Sequence, residues 1–275
     1  MAAIKKFKQK YFGTKSQVYF KTLFVFLLSI IIVFVHGMSQ KSDLDYQEVE
    51  LFEKHLVQQG ALSVVKKMFN EEEKSFRMDL FFEPTSQSVD DLQRKIEADL
   101  VTDKNPEEQI KVKVIPITSR YFVLIAEGIE PDAATVRLDI SYYTTQEMNQ
   151  SLRFYTSKEQ STVETDSILN TQEIELQIDS IQNDIRIQTE LIEESKKNSQ
   201  EINQDIALRI EQYEQLTEEK RFQVGSVLQE TEGKISAIKT TISNLNDQLE
   251  TEKDLRNEAV ERIELLEKRI EEIKK

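Results

Sequence analysis

The side chains that could exchange protons, attack an electrophile or hold a metal are few. The chain has two histidines, His36 and His55, and no cysteine. It therefore offers no thiolate ligand, no Cys nucleophile and too few imidazoles for a zinc site or a catalytic triad. His55 reads as a surface or packing residue. The acidic runs Glu71-Glu72-Glu73 and Asp90-Asp91 carry oxygens of the type calcium takes, but no Asp-x-Asp-x-Asp-Gly loop gathers them, and solvated turns account for both. Six glycines are scattered without the cluster that cradles phosphate. The aromatics Tyr121, Phe122, Tyr142, Tyr143, Phe154 and Tyr155 fall in adjacent pairs, and on a strand one member of each pair must face the core. No catalytic residue, metal or cofactor is expected, so function must lie in what the elements build.

Charge is the first guide to those elements. Lys5, Lys6, Lys8, Lys10, Lys15 and Lys21 precede the first acidic residue, Asp43, yet the whole chain carries −14. A basic head and an acidic body on either side of an apolar stretch follow the positive-inside rule. The acidic body also repels phosphate backbones, so nucleic acid is not an expected partner.

The apolar stretch consists of Leu23, Phe24, Val25, Phe26, Leu27, Leu28, Ile30, Ile31, Ile32, Val33, Phe34 and Val35, interrupted by Ser29. With its flanks it reads as a single N-terminal transmembrane helix over residues 22–38, a signal-anchor following a basic cytoplasmic head over 1–21. Tyr19, Phe20 and Lys21 suit the headgroup layer. The expected location is the cell membrane, single-pass, with the C-terminal bulk extracytoplasmic. The alternative is cleavage after Gly37, where Val35-His36-Gly37 offers a processing site.

Residues 39–60 read as a short connecting helix, with Leu44, Val49, Leu51, Phe52 and Leu56 loosely at helical spacing before Gly60. The period then becomes two. Phe76, Met78, Leu80 and Phe82 alternate with mostly polar residues, as do Ile110, Val112 and Val114, and Val136, Leu138, Ile140 and Tyr142. Polar turns at residues 70–74 and 118–120 separate two strand pairs. About seven short strands over 61–156 predict a small all-β domain, an immunoglobulin-like sandwich.

From 157 to 275 the chain lacks proline and predicts a long C-terminal α-helical coiled coil. Ile235, Ile238, Ile242, Leu245, Leu249, Ile263, Leu266, Ile270 and Ile273 share one heptad frame, interrupted by Glu252 and Arg256. Ile174, Ile178, Ile181, Ile185, Ile192, Ile202 and Ile206 share an earlier frame, interrupted by Gln188, Ser195, Ser199 and Arg209. The frames differ by one residue across Lys220 to Lys234. A skip in one rod is the expected cause, and an antiparallel hairpin the alternative.

The expected whole is a membrane-anchored α+β protein of a bacterial cell envelope. It would scaffold partners or form homo-oligomers through the coiled coil, and an assembly such as secretion or conjugative transfer apparatus is the narrower expectation. The alternative is a secreted or surface ligand-binding protein released after Gly37.

Overall fold

Strand pairing begins where β-branched and aromatic residues alternate with polar ones. The computed structural model describes residues 48–85, 94–144, 147–159, 161–163 and 167–275, all within the unit Glu48–Lys275. Its strands are β1 (His55–Val57), β2 (Gly60–Asn70), β3 (Ser75–Pro84), β4 (Lys95–Thr102), β5 (Ile110–Pro116), β6 (Tyr121–Glu127), β7 (Thr135–Thr144), β8 (Glu147–Ser157) and β9 (Thr162–Val163). Two helices follow, α1 (Glu173–Lys220) and α2 (Gly225–Ile273).

The strands form one path, β1-β2-β3-β6-β5-β4-β7-β8, every step of it antiparallel, with β9 lying parallel to β2. The sheet curls until its ends almost meet. Val49 N–H donates to the Tyr155 carbonyl at 2.9 Å, and the Glu48 carboxylate accepts from Ser157 N–H at 2.7 Å. The buried Lys67 ammonium holds the same segment by donating to the Val49 carbonyl at 2.9 Å. The concave face is filled by Leu62, Val64, Met78, Leu80, Leu100 and Leu138, all fully enclosed. Phe82 stacks on Tyr142 with 5.7 Å between ring centroids. Gly60 is required by close approach, since a Cβ there would lie 2.3 Å from the Glu83 carbonyl oxygen.

Part of the outer face is covered as well. Ser75 to Phe82 of β3 and Tyr121 to Ala126 of β6 are buried without interruption. Their outward side chains Phe81, Tyr121, Val123 and Ile125 pack with Met68 against Ile168 and the α1 residue Leu176. Helix α1 is thus laid on the sheet by its first turns and runs beyond it. At Lys220 it stops, Arg221 to Gln223 close a turn, and Gly225 at φ 65° starts α2 back along α1. Ser195 meets Glu252, Tyr213 meets Lys239 and Lys220 meets Glu232, so the arms are antiparallel.

This arrangement corrects three expectations. The β domain is no immunoglobulin-like sandwich, because β4 pairs with β5 at Asp99↔Lys111 and Leu100↔Ile110 and joins what would be two facing sheets into one near-barrel. The long coiled-coil rod is not present. The one-residue change of frame is instead a reversal at a glycine, which gives two helices of 48 and 49 residues. The connecting helix over 39–60 is extended where it is described: Phe52 N–H bonds to the Val64 carbonyl at 2.7 Å and β1 pairs with β2, so pairing overrides helical spacing. Among the described residues no helix is long and apolar enough to cross a membrane. The expected transmembrane helix over 22–38, Leu23 to Val35 included, lies outside the described residues.

Candidate functional site

The most concentrated chemistry lies where α1 meets the sheet. Arg77 and Asp79 occupy the outward positions of β3 between Phe76, Met78 and Leu80, a polar face that the sequence alone assigns to solvent. Covered by α1, they are 2% and 0% exposed. Arg77 donates from Nε to Asp79 Oδ1 at 2.8 Å and from Nη2 to Asp79 Oδ2 at 2.6 Å. The same Nη2 reaches Asp179 Oδ2 of α1 at 2.6 Å. Lys66 Nζ donates to both Asp179 oxygens at 3.1 Å, and the Tyr121 hydroxyl donates to Asp79 Oδ2 at 2.7 Å.

Two cations and two carboxylates close this cluster at zero net charge. Burial opposes the Arg77 charge, but Asp79 and Asp179 more than offset it and hold the guanidinium protonated well beyond its usual range. Burial, reinforced by the Asp79 carboxylate, pushes the Tyr121 phenol far above its usual range. With no buried polar atom of the cluster left unsatisfied, it suits fixing one element on another rather than turning over substrate. A second anchor lies nearby. The Glu73 carboxylate accepts from Ile168 N–H at 2.8 Å and Leu169 N–H at 3.2 Å, in the turn that leads into α1. Its pKa is lowered, first by the Ser167 hydroxyl and then by those amides.

Halfway along the helices lies a polar layer. Ser195 Oγ donates to the Glu252 carbonyl at 2.8 Å, and Arg256 Nη1 donates to Ser199 Oγ at 2.7 Å. Asn198 Nδ2 donates to Glu252 Oε1 at 3.1 Å. The interruptions Ser195 and Ser199 of one heptad frame are therefore partners of Glu252 and Arg256 in the other, whereas Arg209 pairs within α1 with Asp205 at 3.2 Å. Around them Ile178, Ile185, Ile192, Ile202 and Ile206 of α1 are half-buried and Ile181 is buried. On α2, Ile235, Ile238, Ile242, Leu245, Leu249, Ile263, Leu266, Ile270 and Ile273 are half-buried. Ile174, at the start of α1, is 45% exposed and is not brought into this seam. At the far end, Phe222 and Val224 are 89% and 83% exposed.

The remaining sequence candidates are dispersed. His55 is half-buried with its ring 4.8 Å from that of Phe154. Tyr121, Phe122, Tyr142 and Phe154 are buried, whereas Tyr143 and Tyr155 are half-buried. Glu71 pairs with Lys158 at 2.8 Å. Among the described residues no group of three or more His, Asp or Glu side chains is placed to hold a metal ion. His36, Asp90 and Asp91 lie outside the described residues.

The Arg77–Asp79–Asp179 cluster was missed by sequence reasoning. Its signal was the pair of runs FRMDLFF and YFVLIA, too apolar for strands with a solvated face.

No family model matches the chain, and no curated protein does. Among solved structures, a DUF4426 family protein from Pseudomonas aeruginosa is 9% identical, with a TM-score of 0.29 over 38% of this chain and 94% of that one. A conjugate transposon protein from Bacteroides vulgatus is 8% identical, with a TM-score of 0.23 over 43% of this chain and 100% of that one. A DUF4785 family protein from Legionella pneumophila is 11% identical, with a TM-score of 0.26 over 38% and 28%. Scores this low carry no argument about fold or function.

Proposed function

We propose that this chain is a structural, non-catalytic protein of a bacterial cell envelope, held at the membrane with its acidic bulk on the outer side. Its helical hairpin keeps a partner protein at a fixed distance from the sheet domain, within an envelope assembly. The observation that carries this reading is the hairpin itself. Its arms of 48 and 49 residues reach about 70 Å at 1.5 Å per residue, and their root is tied to the sheet by the buried Arg77–Asp79–Asp179 cluster. A long element with a rigid root suits a spacer. The location is supported by the lysine-rich head, the apolar stretch and the acidic remainder.

The test is cell fractionation with N-terminal sequencing of the recovered protein, together with protease added outside the cytoplasmic membrane. Carbonate-resistant sedimentation with membranes and digestion of residues 173–275 are expected. Soluble protein beginning at Met38 would overturn the membrane placement and favour a released ligand-binding protein. Protection of residues 173–275 in wall-stripped cells would reverse the topology.

A further inference from the structure

Beside the hairpin root, on the face bearing Phe52 and Arg120, a cleft of about 240 Å³ opens between the sheet and both helices. Its walls carry four basic and three acidic side chains. Two of the acids are already paired: Glu83 with Lys54 at 2.6 Å, and Glu190 with Arg186. That leaves Asp184 of α1 facing Arg120, from the β5–β6 turn, and Arg262 of α2. Among the described residues neither guanidinium makes a hydrogen bond or ion pair with protein. Arg269, two turns further along α2, acts on the same Asp184 carboxylate. Burial raises the Asp184 carboxyl pKa and the three arginines oppose that without closing an ion pair on it, so the cleft lining keeps an excess of one positive charge in a chain of net −14.

The backbone here is unusual as well. Phe52, which lines the cleft, sits at φ 68°, a left-handed conformation that costs an aromatic residue free energy. Phe52 is 41% exposed, and Arg186 is stacked 3.9 Å from its ring centroid. Strain and uncompensated charge therefore coincide in one concave site.

We propose that this cleft binds a phosphate-type dianion, bridged between Arg120 of the sheet and Arg262 of α2. A tetrahedral dianion offers enough oxygens to accept from both guanidinium forks, which have no protein partner among the described residues, and the positive lining favours an anion there. The volume lies below the roughly 300–1,000 Å³ usual for drug-sized ligands, so the site takes a headgroup-sized anion. The anion comes either from a soluble phosphate monoester or from a lipid headgroup, and occupancy would tie the returning end of α2 to the sheet.

The test is isothermal titration of the full-length chain in neutral detergent with two probes, inorganic phosphate and dihexanoyl phosphatidic acid. Saturable binding is expected, weakened about tenfold by R120Q and by R262Q, partly restored by R262K and untouched by R153Q. The tighter probe identifies the source. Circular dichroism melting of R120Q and R262Q should match the parent, because neither guanidinium bonds to protein. Absence of binding by either probe up to about 10 mM, or binding that survives R120Q/R262Q together, would overturn the site.

Discussion

Asp79 is fully buried and Arg77 nearly so, so removing one charge strands the other. Arg77→Met should destabilise the protein by about 3–5 kcal/mol in urea unfolding, whereas Arg77→Met with Asp79→Leu should recover much of that loss, because an apolar pair leaves no uncompensated charge. Equal loss in the single and double variants would show that the cluster does more than balance charge. Tyr121 gives the cluster a pH signature. Its phenol is raised above the ordinary value of 10.0 by burial and by Asp79, so folding gains stability that is fully present below pH 10 and falls as the unfolded chain ionises above it. Unfolding free energy measured from pH 8 to 11 should decline by about 1.4 kcal/mol per pH unit at the alkaline end from this group. Tyr121→Phe should cost about 1 kcal/mol at pH 8 and flatten that slope. These residues were illegible in the sequence because alternation assigns Arg77 and Asp79 to the polar face of β3. Nothing local says that a helix beginning almost a hundred residues later covers that face.

At the level of elements, alternation located most of the strands, since pairing with one buried face leaves a period of two in any sequence that forms it. Which strand lies beside which was not legible. The contact between β4 and β5 that turns a sandwich into a near-barrel rests on two residue pairs, too little to leave a pattern. The helices show the reverse case. Both heptad frames could be read, and so could their defects, but only folding the arms together shows that Ser195 and Ser199 answer Glu252 and Arg256. A cysteine-free chain makes this testable. Ser195→Cys with Glu252→Cys, oxidised at low protein concentration, should form a disulfide within one chain and run as a monomer on a non-reducing gel. A rod of paired chains would give a covalent dimer instead. Sedimentation equilibrium need not show an oligomer, because each arm already buries the stripe of the other.

For the whole molecule, the sheet domain cannot be separated cleanly from the hairpin. A fragment ending near residue 156 would expose Tyr121, Val123 and Ile125 and leave Arg77 without Asp179. Such a fragment is expected to aggregate or melt early, even though the strands alone suggest a self-sufficient unit. The same geometry says which part of the hairpin can be removed. Pairing of Ser195 with Glu252 and of Tyr213 with Lys239 places residues 203–216 of α1 opposite residues 235–248 of α2. Deleting both blocks removes two heptads from each arm, keeps both frames in phase, and spares the polar layer, the turn and the root. The shortened protein should unfold cooperatively, and its maximum dimension by small-angle scattering should fall by about 21 Å at 1.5 Å per residue. Deleting one block alone should break the register, lower the melting temperature and bring the exposed isoleucines of the unmatched arm into aggregation. In cells, a spacer must lose function on the matched deletion while remaining folded and membrane-associated. Full activity of that shortened chain would mean that the length of the hairpin is not what the envelope uses.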